Sequence, residues 1–209
     1  MRDAAWSRRG EPVLHRLRHP VGRLVGPLAD GLNRIGVSPD VVTIVGTGGV
    51  VVTSLLCLPR GWLVSGALIA GFFASLDVID GAMARRGGRV SRWGAVLDAS
   101  CDRLADGAIL GGLVLYLAVT ADEPVWSGVM VWALICAVTI PYVNARAEAS
   151  GLPTVPGLAT RADRLFMAGV GTLLAGVGVA WALPAAAVVL AVMGTITVAQ
   201  RLHAARGDV

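Results

Sequence analysis

Long apolar runs dominate the chain, and the polar residues gather between them. Six runs stand out, at 41–58, 62–84, 94–119, 125–145, 165–180 and 182–200. Crossing the hydrocarbon of a bilayer takes about 20 mostly apolar residues, and such a run satisfies its backbone polar groups there only as a helix. The pattern therefore predicts an all-α integral membrane protein, six transmembrane helices packed as one bundle. Ahead of the first run the periodicity changes. Val13, Leu14, Leu17, Val21, Leu24, Val25, Leu28 and Leu32 recur at three-and-four spacing with arginines between them, as on an amphipathic helix lying in the membrane interface. Three regions result: an N-terminal amphipathic juxtamembrane segment at 1–35, a transmembrane domain at 36–204 and a short tail at 205–209.

Composition agrees. Of 209 residues, 55% are hydrophobic and 15% charged, with a mean hydropathy of +0.69, a balance that would not keep a domain of this size in solution. The first 35 residues, rich in Arg and interrupted by Gly and Pro, lack the compact apolar core of a cleavable signal, so the first span is expected to do the targeting. All 18 basic residues are arginine: seven precede the first span, four lie between spans two and three, three between spans four and five, and two follow the last. Excess positive charge marks the cytoplasmic side. Both termini and the arginine-rich loops are expected there, in a multi-pass protein of the cell membrane in contact with membrane lipids, and no nucleic-acid partner is expected. Cys57, Cys101 and Cys136 sit singly in predicted spans without zinc or disulfide spacing and read as packing residues. Ser38 and Pro39 mark the start of the first span, and the prolines and glycines of 150–160 mark an irregular loop.

Against this background one stretch is anomalous. Residues 75–106 carry Asp77, Asp80, Asp98, Asp102 and Asp106 among arginines. An ionised side chain within a span costs about 2.5–3.5 kcal/mol on insertion scales and marks function by default. Asp77 and Asp80 are three residues apart and Asp98 and Asp102 four, so each pair shares a helix face. Spans two and three are joined by a short basic turn, so the two faces are expected to oppose one another. Four converging carboxylates suit hard divalent cations such as Mg²⁺, Mn²⁺ or Ca²⁺, and a pair of such ions is a recurrent means of stabilising phosphoryl displacement. Two other readings exist. A solvated cap of aspartates and arginines explains poorly the accompanying Gly81, Ala84 and Gly94; a divalent-cation transporter would need acidic residues through the bundle, and spans one, four, five and six hold none at mid-depth.

Asp77, Asp80, Gly81, Ala84, Arg85, Gly94, Asp98 and Asp102 fit D-x2-D-G-x2-A-R-x8-G-x3-D-x3-D at every fixed position. This resembles the signature of the CDP-alcohol phosphotransferase family. The resemblance implies six membrane helices, a homodimer, and transfer of a phosphatidyl group from CDP-diacylglycerol to an alcohol with release of CMP. It implies two Mg²⁺ (or Mn²⁺) per subunit held by Asp77, Asp80, Asp98 and Asp102, with Asp102 also the base that takes the acceptor's proton. Gly81 and Arg85 match donor-binding positions, and Ser91 and the segment Asp40, Val41, Val42 and Thr43 face the cytidine diphosphate head in the same resemblance. For Ser91 and Thr43, capping or backbone bonding is an open alternative. Asp106, one turn beyond Asp102, is read as a supporting residue.

The signature says little about the acceptor. Arg146, Arg161, Arg164 and Arg201 come to the same side from three helices, a cluster suited to a phosphorylated alcohol; for Arg146, contact with lipid phosphates is equally open. The segments "ARAEASGL" and "QRLH" resemble the actinobacterial branch of the family that uses 1D-myo-inositol 3-phosphate, which implies phosphatidylinositol phosphate as product. Two departures bear on this: Asn144 stands where that branch carries Lys, and "TRADR" at 160–164 where it carries E-R-x-E-R. Glycerol 3-phosphate, giving phosphatidylglycerophosphate, or another polar alcohol is the alternative acceptor.

Overall fold

A computed structural model describes residues 25–206, which are helical apart from short connections. Residues 25–34 belong to helix α1; the rest of the predicted amphipathic segment lies outside the described residues. Helix α2 is Pro39–Cys57. Ser38 takes its N-cap position with extended backbone angles, yet its side chain makes no capping bond, and Pro39 sits in the first turn. A 3₁₀ turn at Leu58–Arg60 ends at Gly61, whose φ of 78° favours glycine. Then follow α3 at Leu63–Arg86, α4 at Arg92–Leu115 with a π-helical last turn at Tyr116–Thr120, α5 at Pro124–Ala149, α6 at Arg161–Gly176 and α7 at Ala182–Arg206.

Among the described residues five helices are long and apolar enough to cross a membrane: Pro39–Arg60, Leu63–Arg86, Arg92–Thr120, Pro124–Ala149 and Ala182–Arg206. The run predicted at 165–180 differs. Its helix starts earlier, because Thr160 and Asp163 form a reciprocal capping box, and stops at Gly176 before Gly178, whose φ is 99°. At 16 residues it is about 24 Å long, short of the roughly 30 Å hydrocarbon layer.

Helix α2 packs against both α3 and α4, α5 against α4 and α7, and α6 against α3 and α7. Helices α3 and α4, consecutive in sequence, are joined through α2 instead of packing side by side. The main core gathers Leu58, Leu63, Leu110, Leu113, Leu117, Met130, Leu183 and Leu190. On α3 and α4 these residues lie at the end remote from the aspartates. There the helices approach closely: a Cβ on Gly112 would come within 2.6 Å of the Ser54 carbonyl oxygen of α2. Large apolar side chains such as Val52, Leu55, Phe72, Leu104, Ile135 and Val192 stay exposed on the outside, as a lipid-facing surface requires.

The opposite end is closed differently. Ala29 of α1 packs with Ala82 and Met83 of α3, supported by Val25, Leu32 and Val42. Asn33 Nδ2 donates to the Met83 carbonyl at 3.1 Å, and Arg86 forks onto Asp30 through Nε at 2.7 Å and Nη2. That guanidinium, by hydrogen bond first, holds the Asp30 carboxyl below the ordinary carboxylate range.

Candidate active site

Because α3 and α4 stand apart, a cavity of about 330 Å³ opens between them, walled by α2, α3, α4 and α6. Thr43, Thr47, Phe73, Asp77, Asp80, Cys101, Asp102 and Arg161 line it. Into this space the sequence places negative charge from two helices. One carboxylate oxygen each from Asp77, Asp98 and Asp102 falls within 4.8 Å of the others. Three of the four carboxylates expected to converge therefore do so, across a gap and not by direct packing of α3 on α4.

Asp80 belongs to the same wall but not to that trio. It is 6% exposed and turns toward α2, where Thr43 Oγ1 donates to Oδ2 at 2.5 Å. The Pro39 carbonyl, 3.2 Å from the same hydroxyl, competes for its single proton. Thr43 thus fixes one oxygen of Asp80 and leaves the other for a further partner. Three carboxylates at such range repel one another, and oxygen-only donors that converge fit a hard divalent cation.

Positive charge enters from α6. Arg161, the first residue of α6 and set between the two members of the capping box, places Nη1 2.7 Å from Asp102 Oδ1 and donates from Nε to Asp106 Oδ1 at 2.9 Å. Arg103 lies farther out, with Nη2 at 3.7 Å from Asp102 and 3.6 Å from Asp106. Arg164 is buried and donates to the Ala159 carbonyl at 3.2 Å. Arg201 donates from Nη1 to the Ile140 carbonyl at 2.9 Å. Asn144, a turn beyond Ile140 on α5, donates to Glu148 at 2.8 Å, and Arg146 is exposed. Of these five predicted acceptor residues, the cavity wall includes Arg161 alone.

The predicted donor positions cluster at the same end. Thr43 lines the cavity, while Asp40, Val41 and Val42 share the first turns of α2. Arg85 is exposed and lies back over Gly81, where an added Cβ would stand 3.1 Å from its Nη1. Ser91 caps α4, its Oγ accepting the Gly94 N–H at 2.9 Å. Thr47 and Phe73 escaped the sequence reading and Cys101 reads there as packing alone, since apolar, thiol or hydroxyl residues in a span carry no distinguishing signal. The T-x-x-D capping pattern at 160–163 was the signal that would have fixed Arg161 at a helix start.

Residues 36–197 match the family model described as CDP-alcohol phosphatidyltransferase. The chain belongs to the CDP-alcohol phosphatidyltransferase family. It is 46% identical over 193 residues to the phosphatidylinositol phosphate synthase of Mycobacteroides abscessus, covering 90% of this chain and 86% of the relative. It is 42% identical over 202 residues to the enzyme of the same name from Cutibacterium acnes, covering 93% and 98%. Among solved structures it resembles the phosphatidylinositol phosphate synthase of Mycobacterium tuberculosis with CDP-DAG bound, with a TM-score of 0.85, 40% identity, and coverage of 88% of this chain and 94% of that one. The same enzyme in complex with manganese and citrate gives 0.84 at 40% identity, covering 88% and 89%.

Proposed function

We propose that this protein transfers the phosphatidyl group of CDP-diacylglycerol to 1D-myo-inositol 3-phosphate, giving phosphatidylinositol phosphate and CMP. The observation that carries the reading is the convergence of Asp77, Asp98 and Asp102 at one end of the bundle, where Asp77, Asp80 and Asp102 line one cavity. The full signature and the named relatives support it. Asp77, Asp80, Asp98 and Asp102 would hold two divalent cations per subunit, Mg²⁺ or Mn²⁺. Bound there, the ions supply charge neutralisation for the pyrophosphate being cleaved.

The remaining work falls to side chains. An acceptor hydroxyl oxygen bonds to the phosphatidyl phosphorus as the bond from that phosphorus to the CMP oxygen breaks. Asp102 receives the hydroxyl proton. Asp40, Val41, Val42, Thr43, Gly81, Arg85 and Ser91 hold the nucleotide and its phosphates, with Gly81 allowing close approach. Arg161, with Arg164, Arg201, Arg146 and Asn144 around it, takes the acceptor phosphate.

The membrane arrangement we infer has six spans, with α6 as the short fifth span, an interfacial N-terminal helix, and both termini and the cavity on the cytoplasmic side of the plasma membrane. Two observations support α6 as a span. Arg161 at its start meets Asp102, while Gly176 at its end lies against Leu63 and Val64 at the far end of α3. With α6 spanning, Arg201 and Arg206 fall on the same side as the other arginine-rich segments. A homodimer completes the reading.

Purified protein supplied with labelled CDP-diacylglycerol and, in parallel, inositol phosphate, glycerol 3-phosphate, inositol and serine tests the acceptor. Product is expected with inositol phosphate. Product with glycerol 3-phosphate alone would make this a phosphatidylglycerophosphate synthase, and product with only an unphosphorylated alcohol would defeat the arginine assignment.

A further inference from the structure

We propose that Asp106 is the positioning residue of the acceptor site: it holds Arg161 by Nε and so sets how that guanidinium meets the acceptor's phosphate. The inference rests on the assignment of Arg161 to that phosphate. Asp106 is 3% exposed and lies behind the main cavity, so it does not touch reactants. A carboxylate so buried needs charged or hydrogen-bonding partners. It has Arg161 Nε at 2.9 Å, with Arg103 Nη2 at 3.6 Å. On its other side a small cavity of about 10 Å³ is shared with Arg164.

Arg161 needs such a support. It stands at the start of α6, after the irregular stretch 151–160, and a long side chain on a helix end keeps many rotamers open. Five N–H donors lie in the guanidinium plane. Engaging Nε on Asp106 fixes that plane, and Nη1 then meets Asp102 at 2.7 Å. Donors remain for a phosphate, already oriented. Asp106 also supplies the negative charge that lets Arg103, Arg161 and Arg164 share one region. It therefore acts through Arg161 and not on Asp102 directly, which separates it from a mere support of the base.

The test is a KM comparison in purified protein, with 1D-myo-inositol 3-phosphate and CDP-diacylglycerol varied in turn. Asp106→Asn keeps size and loses the charge. It is expected to raise the inositol phosphate KM about tenfold and to leave the CDP-diacylglycerol KM within about twofold of wild type. In an Arg161→Gln background the same change is expected to shift the inositol phosphate KM by less than about twofold, because the group it orients is gone. An unmoved inositol phosphate KM, an equal rise for both substrates, or additive effects in the double variant would each overturn the proposal. If Asp106→Asn does not fold, Arg161→Lys decides: it keeps the charge but lacks the Nε–H that Asp106 holds. A tenfold rise in KM, about that of losing a charged hydrogen bond, supports the proposal, and a wild-type KM overturns it. Wild-type turnover is the control: no product with inositol phosphate removes the acceptor assignment and this proposal with it, whereas normal turnover with unmoved KM in the variants removes this proposal alone.

Discussion

Thr43 shows how much one hydroxyl does at the residue scale. It joins the first turns of α2 to a buried carboxylate on α3, and removing it leaves an Asp80 oxygen without its donor. Thr43→Val keeps the shape and is expected to cost about 1–3 kcal/mol, seen as a lower melting temperature in detergent, with slower CMP release; Thr43→Ser is expected to restore both. A Thr43→Val protein with unchanged melting and rate would show that Asp80 finds another partner. The aspartates were legible in sequence because charge within an apolar run has few structural explanations. The bond from Thr43 was not, since 37 residues separate it from Asp80. Arg161 was legible as a cation and illegible as the partner of Asp102 and Asp106, because those contacts depend on how α6 leans on α3 and on where its cap begins.

At the scale of elements, the apolar runs gave the long helices, and side-chain caps mark the starts of α4 and α6. Helix α6 departs from its predicted range for a physical reason: the Thr160–Asp163 box draws Arg161, Asp163 and Arg164 into its first turn, where a hydropathy window counts them as loop. The separation of α3 from α4 was equally hidden. Both lean on α2, and the close crossing of α2 with α4 depends on Gly112. Gly112→Ala would press a methyl group on the Ser54 carbonyl and is expected to destabilise the bundle by about 1–3 kcal/mol, while Gly111→Ala, with open space at its Cβ, is expected to be near neutral. Melting curves of the two variants in the same detergent check the pair. Equal stability would mean that α2 and α4 part without cost.

For the molecule as a whole, the division of labour is spatial: leucines pack one end of the bundle, and the other end is left open between α3 and α4 for charged chemistry. The proposed orientation predicts that single cysteines placed at Arg89 and at Arg206, in a background without the three native cysteines, react with an impermeant thiol reagent only after the cells are opened. Labelling of intact cells at either position would reverse it. The central claim is that the carboxylates facing one another across the cavity bind divalent ions and thereby make CDP-diacylglycerol cleavable. It is tested most directly by titrating Mn²⁺ into chelator-stripped protein, following bound metal by electron paramagnetic resonance together with CMP release. The account predicts two bound ions per subunit, CMP only when they are present, and a fall in both for Asp98→Asn. Full CMP release in chelator, or Mn²⁺ binding untouched by Asp98→Asn, would contradict it.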